Sequence, residues 1–226
     1  MKLKWDQPGE RLFHTGVDHA ILFPYTEDGY GAGVAWNGLT AVNEANTGGE
    51  PNPVYADNTK YLNLMSREEY QATIEAYMYP KAFAPCNGYR EVAKGGYITQ
   101  QKRQMFGLVY RTLVGNDTDD IDHGYIWHFV YGCVASPSDK SHSTVNETPD
   151  PETMSWEITT TPVEIGPGFR PTAHFEVHSL ETDDEDLAAL ETIIYGTDTA
   201  GSVTGTDSRL PLPAEIISTL GTVSGT

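Results

Sequence analysis

Cysteine is nearly missing from this chain of 226 residues: Cys86 and Cys133 stand far apart and form no CxxC spacing. Two cysteines make no disulfide framework, and the expectation is a pair of reduced thiols in a protein made in the cytoplasm. Long apolar runs are missing as well. The longest is roughly Phe129–Ala135, far too short to span a bilayer. The opening Met1-Lys2-Leu3-Lys4-Trp5-Asp6 has no apolar centre of the kind a signal peptide needs. Positive charge is scarce in one half only. Residues 1–111 carry 11 Lys/Arg against 12 Asp/Glu, a net of −1; residues 112–226 carry 3 against 20, a net of −17. A total of −18 with so few clustered cations argues against wrapping DNA or binding an anionic membrane.

Catalytic signatures are missing too. There is no GxSxG elbow, no HExxH and no GxxxxGK[ST]. Gly31-Ala32-Gly33 lacks the rest of a dinucleotide fingerprint. With 32 Asp and Glu, carboxylate pairs arise by chance, so no acid–base dyad can be singled out. No catalytic residue, cofactor or enzymatic activity is expected.

What the chain does have is length enough for one sizeable domain and 13 tyrosines, which speak against wholesale disorder. Short strand patterns fill residues 17–178. Ala20–Pro24 is apolar. Val34–Val42 reads as a strand bent at Gly38. Tyr70–Tyr79 alternates, with Tyr70, Ala72, Ile74, Ala76 and Met78 on one face. Ala82–Cys86 suits a single helical turn. Phe106–Val114 and Tyr125–Val134 form the clearest hairpin, bracketed by Gly115-Asn116-Asp117 and His123-Gly124, with Trp127, Phe129 and Tyr131 sharing a face. Met154–Thr161 puts Met154, Trp156 and Ile158 inward, and Thr172–His178 closes the set. Many short strands and few helices predict a mainly β fold, a sandwich or barrel-like body. Thr182 with Glu185 matches a capping box for a helix over 181–196, whose Leu187, Leu190 and Ile194 make one apolar stripe ending at Gly196. The expected organisation is a single domain over 1–226: a β-rich core over 1–180, that helix, and an extended segment over 197–226. Within it, Thr197–Ser208 is expected to be mobile and Ala214–Leu220 to form a short terminal helix. Asn43–Thr59 has no periodicity and is expected to be a long inter-strand loop.

Three clusters invite a chemical reading. His174, Glu176 and His178 alternate on one strand face, and two imidazoles with a carboxylate suit a transition metal. Alternate side chains lie about 7 Å apart, so chelation would need a bend; a solvent-facing polar row without metal is the expectation. Asp117, Asp119, Asp120 and Asp122 suggest calcium, but the spacing of an EF-hand is missing, and an acidic hairpin loop is expected. Gln100–Gln104, with Lys102 and Arg103, is the only compact basic spot. It is too small for a nucleic-acid groove and reads as an exposed turn or as a contact for an acidic neighbouring subunit.

Taken in order, Trp36-Asn37-Gly38, Tyr55-Ala56-Asp57-Asn58, Lys60-Tyr61-Leu62, Ala72–Tyr77 and Gln101-Lys102-Arg103 resemble segments of a known family. Phe106-Gly107-Leu108, Arg111–Thr118, Tyr131-Gly132, Trp156–Pro162 and Arg209–Pro213 extend the likeness over most of residues 10–220. It is similar to the major tail proteins (tail tube proteins) of long-tailed phages and prophages of Gram-positive bacteria. The resemblance implies a non-enzymatic virion subunit, assembled in the host cytoplasm, that forms rings, commonly hexamers, stacked into a tube. Its implied partners are copies of itself, the tape measure protein, and tail terminator and tail tip proteins, with DNA passing through. On that reading Asn43, Glu50, Tyr55 and Lys60 would contact the next ring. The acids at 117, 119, 120 and 122 would line the channel or an outer surface. Six subunits at −18 would carry −108 per ring, a wall that repels a passing duplex rather than gripping it. A carbohydrate-binding β-sandwich, using Trp36, Trp127 or Trp156 as stacking platforms, is the alternative.

Overall fold

The structure, a computed structural model, describes residues 2–145, 151–199 and 204–221. In chain order its elements are β1 (Phe13–Thr26), β2 (Gly29–Tyr30), β3 (Val34–Ala35), β4 (Leu39–Glu44), β5 (Pro51–Ala56), β6 (Thr59–Met65) and β7 (Gln71–Ala76). A 3-10 turn at Lys81–Phe83 precedes β8 (Arg90–Ala93), β9 (Gly96–Ile98), β10 (Phe106–Asn116), β11 (Asp120–Ala135), β12 (Met154–Thr159) and β13 (His174–His178). Two helices follow, α1 (Asp184–Tyr195) and α2 (Pro213–Leu220). The fold is mainly β, as expected, and its large antiparallel sheet does not close into a barrel.

Three layers result from burying both faces of the long strands. β1, β10, β11 and β13 lie side by side. Ala20, Leu22, Leu108, Tyr110 and Val130 point from them toward β7 and β12, where Ala72, Ile74, Trp156 and Ile158 complete one core. Ile21, Phe23, Val109, Trp127, Phe129 and Tyr131 point the other way and meet Leu187, Leu190 and Ile194 of α1 and Ile216 of α2. The expected stripe on α1 and the expected inward residues of β12 are therefore in place.

β11 joins the two sheets. It pairs with β10 from Asp120 to Cys133 and with β13 from Ile126 to Val130, then with β12 at Val134 and Ala135. The switch occurs at Gly132, where φ is +60°. The alternation inverts there: Tyr131 faces the helices, yet Cys133 and Ala135 face the inter-sheet core. One extra residue in a strand produces this bend and change of face.

Several sequence expectations are revised. The strand expected over 34–42 breaks at Trp36-Asn37-Gly38 into β3 and β4, because the Trp36 indole turns inward and donates from Nε1 to the Met78 carbonyl at 2.9 Å. Met78 itself is exposed beyond the end of β7. The hairpin of β10 and β11 runs further than expected, to an Asn116–Asp120 pair. Thr182 does not cap α1. Its hydroxyl donates to the His178 carbonyl at 2.9 Å, and Asp183 occupies the cap position without a side-chain bond. Asp184, Glu185 and Asp186 still oppose the helix dipole. Thr197 and Thr206 pair as an antiparallel bridge; the middle of the expected mobile segment, residues 200–203, lies outside the described residues. Among the described residues no helix is long and apolar enough to cross a membrane.

Candidate functional site

The expected loop over 43–59 is instead a projecting arm. Asn43 belongs to β4, where its side-chain amide donates to Glu75 at 3.1 Å. Glu50 sits at the arm's base, its backbone N–H on Ser66 Oγ at 3.2 Å. β5 and β6 then form a two-stranded hairpin of their own. The turn is Asp57-Asn58, with φ of +50° and +60°, the double positive φ of a type I′ hairpin turn, which Asp and Asn tolerate. Pro51 and Pro53 fit because no further strand asks for their missing N–H groups. Every strand residue of the arm is exposed. Asn52 pairs with Leu64 and Val54 with Leu62, so one face carries Val54, Leu62 and Leu64, while Tyr55, next along β5, points to the other. Tyr55 and Tyr61 are 67% and 70% exposed. An isolated hairpin is marginal in water, and contiguous exposed apolar side chains mark an association surface. A second exposed hairpin, β8 with β9, shows Val92, Tyr97 and Ile98. β4, at the end of its sheet, pairs on one side only among the described residues, leaving backbone groups free to accept another strand.

The acidic residues divide by role. Asp117 Oδ1 accepts from the Gly9 N–H at 3.0 Å and lies near Arg11, which fastens the N-terminal segment. Asp119 Oδ2 takes Asn116 Nδ2 at 3.0 Å and faces His123 Nδ1 at 2.9 Å. These two are structural. Asp120, at φ +55°, and Asp122 stay exposed at the hairpin tip. The basic spot is also partly structural, since Arg103 Nη1 donates to the Ala135 carbonyl at 2.9 Å and the Ser136 carbonyl at 3.2 Å. Trp36, Trp127 and Trp156 are all buried, so none is available to stack on a sugar. Cys86 and Cys133 are buried free thiols; burial pushes Cys86 up to about 12, where it is protonated and inert.

The row His174, Glu176, His178 does not act as one unit. The strand pairing sets His128 of β11 opposite Glu176, and the fold adds Glu44 from β4 of the other sheet. Glu44, His128, His174 and Glu176 converge. His128 Nδ1 lies 3.1 Å from His174 Nε2. The ring planes differ by 4° and their centroids are 5.3 Å apart. Because the nitrogens are much nearer than the centroids, the rings lie edge to edge and nearly coplanar, not face to face. His128 Nε2 meets Thr112 Oγ1 at 2.8 Å. Tyr110 Oη donates to Glu44 Oε1 at 2.7 Å, and Tyr70 Oη is 3.3 Å from Tyr110 Oη. Burial, then the neighbouring His174, pushes His128 down to about 4; burial also lowers His174, against the pull of Glu44 and Glu176. Both imidazoles are therefore neutral at pH 7. His178 stands outside, its Nε2 3.3 Å from the second oxygen of Glu176. Glu44, Tyr110 and His128 are absent from any local pattern with His174. The one available signal was an imidazole inside the apolar run of β11.

No family model and no curated protein matches the chain.

Proposed function

We propose that this chain is a structural, non-enzymatic subunit that self-assembles into stacked rings, forming the tube of a phage-type tail. The sequence resemblance supplies the family, and the exposed β5–β6 arm is the observation that carries the self-association reading. An arm with apolar side chains and no body beneath it gains order and burial only from another molecule. A second copy is the partner that a homo-oligomer supplies. Head-to-tail contacts of this kind close into rings when the rotation permits. The open edge of β4 offers a lateral contact by strand addition, while the arm reaches toward an adjacent ring. The scarcity of cations across residues 112–226 suits a conduit through which a polyanion slides. Tape measure, terminator and tip proteins are the further partners of this reading, and the virion tail is its location.

The test is to replace Asn52–Leu64 by a two-residue turn and to follow assembly by sedimentation. The account expects a folded protein with unchanged far-UV circular dichroism per residue of body and no large assemblies. Tubes formed normally by the shortened chain would refute the role given to the arm.

A further inference from the structure

We propose that Glu44, His128, His174 and Glu176 bind one divalent transition-metal ion, zinc or a cation of like preference, which pins edge strand β4 to the opposite sheet. One ligand atom from each lies within 4.8 Å of the others. Two imidazole nitrogens and two carboxylate oxygens are a common donor set for such ions. At metal–nitrogen lengths of about 2.0–2.1 Å, neighbouring ligand nitrogens sit roughly 2.9–3.4 Å apart; here the separation is 3.1 Å.

The carboxylates are the decisive feature. Glu44 Oε1 lies 3.8 Å from His128 Nδ1 and 4.0 Å from His174 Nε2; Glu176 Oε1 lies 3.6 Å and 3.9 Å from the same two atoms. These distances are too long for hydrogen bonds, yet two carboxylate oxygens converge on one pair of imidazole nitrogens. A hydrogen bond between the imidazoles accounts for the histidines, and Tyr110 and His178 each hold one carboxylate, but none of these bonds requires both carboxylates to turn an oxygen toward the same two nitrogens. A cation among the four atoms accounts for all of them, with closure of up to about an ångström by the two glutamates. Their side chains, 35% and 40% exposed, have room to move and leave a path from solvent.

The surrounding groups hold the ligands as metal sites require. Thr112 fixes the His128 ring from Nε2, with Nδ1 facing inward. Tyr110 orients Glu44, and His178 holds the outer oxygen of Glu176. Binding requires both facing nitrogens, His128 Nδ1 and His174 Nε2, to present lone pairs, so the ring that carries the shared proton moves it to its other nitrogen. The site does not depend on assembly.

Zinc chloride titrated into the full chain, stripped with EDTA and exchanged into buffer, tests this. Calorimetry and elemental analysis after gel filtration should give one ion per chain, and the thermal midpoint should rise. Glu44→Gln and Glu176→Gln keep shape and lie at the accessible side, so both fold. Each should lose about tenfold or more in zinc affinity, with the metal-free midpoint little changed. Wild-type binding no tighter than that of the Glu44→Gln/Glu176→Gln double variant, or a midpoint indifferent to zinc, would overturn the proposal.

Discussion

Replacing Gly132 by alanine perturbs the point at which β11 leaves one sheet for the other. A Cβ there would stand 2.3 Å from the Thr161 carbonyl oxygen and 2.9 Å from the Thr161 nitrogen. Both are backbone atoms, so no side chain can swing aside. The φ of +60° adds about 1–2 kcal/mol for an L residue. Moving residue 161 away strains the Thr161 N–H to Gly132 carbonyl bond, now 3.0 Å, at about 1 kcal/mol. The Gly132 N–H bond to Tyr30 Oη, 2.8 Å, is at risk on the same scale. The total comes to roughly 3–4 kcal/mol, a large part of the roughly 5–15 kcal/mol of a typical domain. Gly95 is the control. Its φ is +74°, but a Cβ there meets nothing within 4 Å, so Gly95→Ala pays the backbone cost alone, about 1–2 kcal/mol. Urea unfolding of both variants, at concentrations that keep the chain monomeric, measures the difference as a change in midpoint at constant slope. Equal costs for the two substitutions would refute the tight crossing at Gly132.

Three further outcomes are expected. Leu190→Ala, under the helix layer and fully buried, should cost about 2–5 kcal/mol by the same assay; a cost below 1 kcal/mol would mean α1 is not docked. Asp18 accepts two bonds from Arg111, both 2.8 Å. Burial raises its pKa, but those bonds, His19 and the neighbouring charges outweigh this and hold the carboxyl below its ordinary value. The unfolded chain takes up the proton first, so this stabilisation is present above about pH 4 and is lost as pH falls through the folded value. Asp18→Asn should therefore lower stability at pH 7, by about 1 kcal/mol for so exposed a pair, and should flatten the acid limb of a stability–pH profile. An unaltered acid limb would show that the pair is not formed in solution. Asn58→Val puts a β-branched residue at φ +60°, which should disorder the arm's turn and suppress assembly while leaving body stability within about 0.5 kcal/mol; limited proteolysis at the arm, together with thermal melts, separates the two effects.

Legibility followed burial. β7 and β12 each bury one face, so their alternation was plain in the sequence, and the 3.6-residue stripe of α1 was as plain because the helix rests on a sheet. The arm buries neither face, which removes all periodicity; Asp57-Asn58 was a turn signal masked by the apparent obstacle of Pro51 and Pro53. β11 buries both faces, so the inversion at Gly132 left no trace in its apolar pattern. The cluster of Glu44, His128, His174 and Glu176 draws on strands of two sheets. Local spacing offered only His174, Glu176 and His178, and of these His178 lies outside the converging set.

Negative-stain electron microscopy of the concentrated full-length protein tests the central proposal most directly. The account expects annular objects and hollow tubes of stacked rings. Monomers that persist at every concentration, and after addition of tail partners, would contradict it.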